Sequence, residues 1–375
     1  MTGCWHYDHN LCKYQDPKHC DHRSIFRNRN IITCPRLTYK NIEWLSQEGK
    51  TWNPITGCNG PGGIRCGFCY AQRIAERFKG RNGFPSDDPF KPTWHGDRLK
   101  IVYSRRKPTL WFAGSMCDWL DDGVLPNWRG DCMTAMRQNP RHAFITLTKQ
   151  TWNLSKLLDD APDGPQGKAI PPNMFVGISV TNAQQVDGLK TLRDLRGVKK
   201  VVSFEPLMED VAAAMGFGND DALRFDQAGR FIPSSLHLHG IDWVFIGGCS
   251  KQSAIGDLPK VPAFIPPHQW VMRLWMLAKA SGCKVFVKPN AHFELLQGWS
   301  SFLPCKIDPR LATLMEAANP LINTQEYPSM VERVLLGLPA LDKCPECGQE
   351  EPYVPDKTGL PSISCYKCGW PPRED

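Results

Sequence analysis

Short apolar runs recur along the middle of the chain, separated by longer polar or amphipathic stretches. The runs are residues 109–114 (TLWFAG), 143–148 (AFITLT), 174–180 (MFVGISV), 200–204 (KVVSF), 241–247 (IDWVFIG) and 284–288 (KVFVK). They are apolar at successive positions and rich in β-branched and aromatic residues, the pattern of strands buried on both faces of a parallel sheet. Between them, residues 128–138, 183–195 and 268–280 carry helical periodicity. Alternating strand and helix predicts an α/β fold. With six or seven strands, the expected architecture is a partial or full parallel (β/α) barrel. Two Pro-, Gly- and Asp-rich stretches, 159–172 and 216–235, read as loops or lids.

The pattern changes at both ends, which divides the chain into four parts. Residues 1–41 form a Cys/His-rich basic appendage with no sustained periodicity, and residues 42–292 form the barrel. Residues 293–340 form a helical linker, and residues 341–375 a second Cys-rich module. Hydrophobic residues make up 41% of the 375, enough to bury a core and to exclude a disordered chain. No run approaches the roughly 18–20 apolar residues of a membrane span. The first residues lack the apolar run of a secretory signal. These features predict a soluble cytoplasmic protein.

Sixteen cysteines then need a role. In a reducing compartment, clustered cysteines point to metals or chemistry rather than disulfides. Cys344-Pro-Glu-Cys347-Gly and Cys365-Tyr-Lys-Cys368-Gly are two CxxC knuckles with glycine after each second cysteine, the pattern of a zinc ribbon. Zinc would stand in for a core that so short a module cannot build. At the other end, Cys4, Cys12, Cys20 and Cys34 are interspersed with His6, His9, His19 and His22. Their spacing matches no single motif. One zinc ion held by four of the eight, an auxiliary iron–sulfur cluster and a basic arm remain alternatives.

The third group lies in WNPITGCNGPGGIRCGFCY, residues 52–70. Cys58, Cys66 and Cys69 form a C-x7-C-x2-C triplet in a Gly/Pro-rich loop followed by the helical stretch AQRIAERFK. Three thiolates can each cap one iron of a 4Fe–4S cluster and leave the fourth iron open to a substrate or cofactor. A closed zinc site is the alternative, with His95 or Cys117 as fourth ligand.

The net charge of +7 is uneven. Lys13, Lys18, Arg23, Arg27, Arg29, Arg36 and Lys40 crowd the N-terminal part, and Lys and Arg outnumber acids over residues 65–107. Basic stretches with interleaved aromatics such as Trp5, Tyr7, Tyr14 and Phe26 suit nucleic acid, where phosphate contacts release counterions and rings stack on bases. A solvated surface is the plainer alternative.

Barrel chemistry gathers after strand C-termini. There the sequence places Ser115, Cys117 and Asp118, then Lys149, Ser179, Glu205, Cys249 and Lys288. Each could equally be a strand cap or surface group.

Cys66-Gly-Phe-Cys69 resembles the second half of the C-x3-C-x-aromatic-C motif of the S-adenosylmethionine radical superfamily; the gap of seven between Cys58 and Cys66 departs from its commonest gap of three. Residues 42–290 are similar, more specifically, to a phage- and bacteria-associated family of uncharacterised proteins carrying this motif. The resemblance rests on IEW at 42–44, TWNPITGC at 51–58, CxxCYA at 66–71, GSMCDWL at 114–120 and LTK at 147–149. It continues through VGISV at 176–180, SFEPL at 203–207, IDWVFIGG at 241–248 and VFVKP at 285–289. A distant relative in kind is spore photoproduct lyase, a DNA repair enzyme.

The resemblance implies that S-adenosylmethionine chelates the open iron. An electron, delivered by a donor such as flavodoxin or ferredoxin, cleaves it to methionine and a 5′-deoxyadenosyl radical that abstracts hydrogen from substrate. Ser115, Asp118, Ser179, Glu205 and Lys288 are then the candidates for holding cofactor or substrate. Two departures place a thiol at the expected mouth: Cys249 where the family has an acid after the GG pair, and Cys117 where it often has Ser. Either thiol could donate a hydrogen atom to a substrate radical, or be a small buried hydrophobe. The expected substrate is a nucleobase in nucleic acid, phage DNA above all. Radical modification of tRNA or of a nucleotide-like molecule, and a non-catalytic zinc protein that binds nucleic acid, are the rivals.

Overall fold

The computed structural model describes residues 42–45, 49–164, 167–216, 224–225, 231–232, 237–291, 326–335, 340–341 and 347–349. Its centre is a seven-stranded sheet. The strands are β1 (Lys50–Trp52), β2 (Leu110–Ala113), β3 (Ala143–Thr148), β4 (Met174–Ser179), β5 (Lys199–Phe204), β6 (Trp243–Ile246) and β7 (Lys284–Val287). They pair in sequence order, every pair parallel. Among the described residues β1 and β7 do not pair, so the sheet is a partial (β/α) barrel with a seam. Six strands match the apolar runs of the sequence to within a few residues. β1 is short and half exposed, so its KTW carries too little apolar signal to stand out.

Side chains alternate between two cores, as the pleat requires. Trp111, Phe144, Val176, Val202, Val244 and Val285 face outward. They pack against helices α2 (Pro126–Arg137), α3 (Gly188–Asp194) and α4 (His268–Ala280). The α1 helix (Tyr70–Arg77) stands at the mouth. α4 has the predicted bounds, whereas the predicted 183–195 helix is a 3-10 turn at Ala183–Gln185 followed by α3. Both predicted loops contain a two-residue hairpin ladder, Asp163–Gly164 with Gly167–Lys168 and Arg224–Phe225 with Phe231–Ile232.

The inner face is filled by Leu110, Phe112, Ile145, Phe175, Val201, Trp243, Phe245 and Phe286. Trp44, in a 3-10 turn (Glu43–Leu45), and α5 (Ser329–Leu335) close it from inside the curve. The Trp44 indole stacks on Phe245 at 4.6 Å and 9° and meets Phe112 edge-on at 5.0 Å. Phe112 and Phe245 belong to β2 and β6, which a flat sheet would hold about 19 Å apart, four strand spacings. One ring touching both shows how far the sheet curls.

The N-terminal Cys4, Cys12, Cys20 and Cys34 lie outside the described residues, as do Cys344, Cys365 and Cys368 of the expected ribbon. Cys347 is described, half-buried against the inner core. No helix among the described residues is long and apolar enough to cross a membrane.

Two predictions follow from this packing. Replacing Trp44 with Ala removes the plug and should cost about 3–5 kcal/mol of unfolding free energy in urea titrations, the range for a large buried aromatic. His142 is fully buried; its Nδ1 accepts from Thr109 N at 3.1 Å, and Nε2 lies 3.2 Å from the Val102 carbonyl. Burial, with Arg141 beside it, lowers its pKa to about 3. The unfolded chain therefore binds a proton below about pH 6.5 that the folded chain refuses until about pH 3, and stability falls across that window by up to roughly 1.4 kcal/mol per pH unit. His142→Gln should flatten the fall in melting temperature between pH 6.5 and 4 relative to wild type.

Candidate active site

The chain leaves β1 at the C-terminal rim of the barrel and enters the cysteine loop, which is fastened to the rim by its backbone. Gly57 N donates to the Met116 carbonyl and Cys58 N to that of Phe90, both at 2.8 Å. Gly57 has φ of +90°, and a Cβ there would fall 2.0 Å from the Lys91 carbonyl oxygen, so only glycine fits. Asn53 holds the second rim segment: its Oδ1 accepts from Met116 N at 3.0 Å, and its Nδ2 donates to Ser115 Oγ at 3.0 Å. Tyr70 hydroxyl donates to the Ser115 carbonyl at 2.7 Å.

Asp121 organises the start of the triplet. Its carboxylate accepts from Asn59 N at 2.7 Å, Asn59 Nδ2 at 2.8 Å, Gly123 N at 2.9 Å and Gln150 Nε2 at 3.1 Å. Asp118 has a similar office one turn away, accepting from Thr148 Oγ1 at 2.7 Å, Lys149 N at 2.9 Å and Leu120 N at 3.0 Å. Burial raises the Asp118 pKa against those hydrogen bonds. With its oxygens so engaged, Asp118 joins β2 to β3, and Ser115, engaged with Asn53, joins β1 to β2. Both belong to the frame of the site.

Cys58 and Cys69 are half-buried against Phe84, Phe90 and Met116, and Cys66 is half-buried in the loop between them. Backbone amides aim at two of the sulfurs: Gly60 N at Cys58 Sγ (3.2 Å) and Gln72 N at Cys69 Sγ (3.4 Å), where Cys69 caps α1. Burial pushes both thiols up. Such N–H donors stabilise a thiolate once a cationic metal centre has displaced its proton. Among the described residues no three His, Cys, Asp or Glu side chains converge on a single metal position. Cluster ligation does not ask this of them, because each thiolate caps a different iron. The donor set of three thiols on one glycine-rich loop fits such a group. His95 is engaged elsewhere, its Nε2 2.8 Å from Thr56 Oγ1, and burial beside Arg98 lowers its pKa to about 4. Cys117 lies next to the loop through its backbone bridge to Gly57, and burial raises its thiol, with Asp118 and Cys58 adding to the effect.

An arm from the far side completes the enclosure. Residues 249–264, after β6, fold back through antiparallel bridges Cys249–Phe264, Gln252–Val261 and Ile255–Leu258. Gln252 Nε2 donates to the Phe68 carbonyl at 2.9 Å. The buried Arg73 guanidinium, on α1, donates to the carbonyls of Ser253 (3.1 Å) and Pro259 (2.6 Å). Arm and α1 together bridge the rim above the seam between β1 and β7. Cys249 sits buried at the foot of the arm, its backbone paired with Phe264 and its thiol pushed up by burial.

Below this cover lies a polar floor on the inner face. Ser179 stands opposite Ser203 in the β4–β5 register, and Ser203 Oγ donates to Glu205 Oε2 at 3.3 Å. Lys288 Nζ lies 2.9 Å from Glu43 Oε2 and 3.4 Å from Glu205 Oε1. Burial disfavours the Lys288 charge, but the two carboxylates overcome it and raise its pKa; burial raises that of Glu205 against the pull of Lys288. Gly247 makes the approach possible, since a Cβ there would meet Glu205 Oε1 at 2.6 Å and Lys288 Cδ at 2.9 Å. Of the residues expected from sequence, Glu205 and Lys288 thus meet on the floor, and Ser179 stands beside Ser203 in the neighbouring strand. Glu43, Asn53, Asp121 and Arg73 were missed, although Glu43 and Asn53 lie in the IEW and TWNPITGC blocks.

The fold and site define a parallel partial (β/α) barrel with a three-cysteine loop at its C-terminal mouth. The chain belongs to the family described as "Protein of unknown function (DUF5131)", which matches residues 39–290. No curated protein shows a match. Among solved structures, spore photoproduct lyase complexed with dinucleoside spore photoproduct is similar over 64% of this chain and 76% of its own, at 12% identity and a TM-score of 0.38. A cysteine-to-serine variant of that enzyme is similar over 67% and 80%, at 12% identity and a TM-score of 0.37.

Asp121→Ala should strip four hydrogen bonds from the start of the cysteine loop. The expected cost is about 1–3 kcal/mol in unfolding free energy, with faster proteolytic cleavage within residues 58–66 than in wild type.

Proposed function

We propose that this protein is a radical S-adenosylmethionine enzyme that acts on a nucleobase in nucleic acid, DNA in preference to RNA. The observation that carries the reading is the position of Cys58, Cys66 and Cys69: one loop, pinned over the C-terminal mouth of a parallel barrel, above a buried polar floor. When bound there, a 4Fe–4S cluster with S-adenosylmethionine supplies one-electron cleavage of the sulfonium and a hydrogen-abstracting radical.

The protein's own contribution is to hold and to exclude. Cys58, Cys66 and Cys69 would ligate the cluster, with Asp121 and Asn53 fixing the loop to the rim. Arg73 and the arm keep bulk water from the mouth, which a reactive radical requires. Ser179, Glu205 and Lys288 would orient cofactor or substrate, and the Cys117 thiol, beside Cys58, could return a hydrogen atom.

A polyanionic substrate is supported by the basic stretch after the cysteine loop, where Arg77, Lys79, Arg81, Lys100, Arg106 and Lys107 are exposed. Inside a duplex the target atom would be hidden, so the base must be extruded or single-stranded.

Anaerobic purification with iron, sulfide and zinc analysis tests the reading. About four irons per chain are expected, lost in the Cys58→Ala/Cys66→Ala/Cys69→Ala variant, with 5′-deoxyadenosine released on reduction in the presence of S-adenosylmethionine. Zinc in place of iron after anaerobic reconstitution would sink the radical reading and leave a zinc-dependent nucleic-acid-binding protein.

A further inference from the structure

Large apolar side chains left in water gather at one end of the barrel. Eight are exposed among the described residues. Five of them, Ile64, Tyr70, Leu125, Trp152 and Ile265, lie between the end of a strand and the helix after it, Tyr70 being the first residue of α1. That is the side of the mouth. Single exposed apolar residues are ordinary, but a set confined to one end marks a contact surface. Trp152 is the largest of the set, 57% exposed. It sits in a 3-10 turn, Thr151–Asn153, between two buried amides that brace it. Gln150 Nε2 donates to Asp121 Oδ2 at 3.1 Å, and Asn153 Nδ2 donates to the Leu120 carbonyl at 2.9 Å and to Asp122 Oδ1 at 3.1 Å. The same Asp121 carboxylate holds Asn59, next to Cys58. One side chain therefore sets the spacing between the indole and the cysteine loop. Lys149 opens the turn. Its ammonium makes no ion pair among the described residues, yet its charge is close enough to pull on the Cys69 thiol against burial, so it faces the mouth. Lys251 and Lys260 are exposed on the arm.

We infer that the turn at residues 149–153 is a stacking platform for an unpaired DNA strand. The Trp152 indole takes the base beside the one attacked, and Lys149 takes a phosphate of the same strand. The inference rests on the proposed function above, with nucleic acid as the substrate. Every base has a π face, so an indole can hold one without regard to sequence. The ammonium groups around it suit the phosphates that join such bases. A duplex hides its base faces, so the platform selects a strand that is already open, the state the mouth requires. The brace through Asp121 then gives the stacked base a constant offset from Cys58, which brings the next nucleotide to the same place each time. A neutral apolar protein surface could cover Trp152 but would leave Lys149, Lys251 and Lys260 unanswered. An exposed ring beside ammonium groups matches a polyanion that carries rings of its own.

Fluorescence anisotropy of the full-length, anaerobically cluster-loaded protein tests this with three labelled probes: a short single strand of thymidines, the same strand lacking its bases, and a blunt duplex. Wild type should prefer the strand with bases over both others. Trp152→Ala should weaken that strand by about tenfold, the order of one lost base stack, and leave the abasic strand unchanged. Trp152→Phe should restore most of the affinity, and Trp152→Leu, apolar but without a ring, replaces the Ala variant if that one melts early. Lys149→Gln should weaken both single strands and lower the slope of log affinity against log salt by about 0.7, one phosphate contact. Unchanged binding by Trp152→Ala, or an equal loss on the abasic strand, would overturn the inference. So would self-association in sedimentation that Trp152→Ala abolishes while DNA binding stays, since a second copy of the chain would then cover the indole. If the cluster loads and S-adenosylmethionine is cleaved but the Trp152 variants bind as wild type, the platform is refuted while the radical reading stands. A strand held through Trp152 by protein that takes up zinc and no iron would refute the radical reading and leave the platform.

Discussion

The contact on which the rest depends is the Trp44 indole lying between Phe112 and Phe245. A seven-stranded parallel sheet with free edges could stay an open twisted layer, and its C-terminal ends would then be spread along a line. A single aromatic plug, buried from both sides, makes the inner face concave. Side chains that follow β5 and β7 then meet, with Lys288 Nζ 3.4 Å from Glu205 Oε1. The same short turn delivers Glu43 to Lys288. Packing and chemistry are coupled through adjacent residues, one filling the bottom of the cup and the next supplying charge to its floor.

Curling a sheet without closing it leaves a seam, and the chain covers the mouth above that seam with elements rather than with a further strand. The cysteine loop and α1 come from the β1 side, the 249–264 arm from the β6 side. They meet through Gln252, Arg73 and backbone carbonyls. A buried guanidinium whose two terminal nitrogens donate to carbonyls is directional, since each of these N–H groups needs its acceptor in place. It therefore ties the position of α1, and with it Cys69 at its cap, to the arm. The mouth is enclosed, yet the enclosure rests on hydrogen bonds between loops. Under the proposed function, such a cover would exclude water from a radical and still admit a large substrate.

The polar residues of the mouth fall into two groups that perform different work. Asn53, Ser115, Asp118 and Asp121 are saturated by hydrogen bonds within the rim and hold the strand ends in register. Glu205 and Lys288 are instead joined to each other and to Glu43 by charge, and Ser179 stands beside Ser203 in the β4–β5 register. Side chains of both groups are equally polar and sit at equivalent strand ends. Their difference lies in who their neighbours are.

The alternation of apolar runs and helical stretches determined the α/β class, six of the seven strands and the C-terminal placement of the candidate groups, because burial on both faces of a parallel strand writes itself directly into residue type. The cysteine triplet was equally legible, since its three residues are local in the chain. β1 was not, being three residues long, nor was the role of Glu43, whose partners Glu205 and Lys288 are distant along the chain. Only the tertiary structure could separate Asp118, a frame residue, from Glu205, and join Arg73 to an arm far beyond it in sequence. The physical reason is the same in each case: composition and period report burial, which is a property of one residue, whereas hydrogen-bond saturation and shared charge are properties of pairs that only the folded chain brings together.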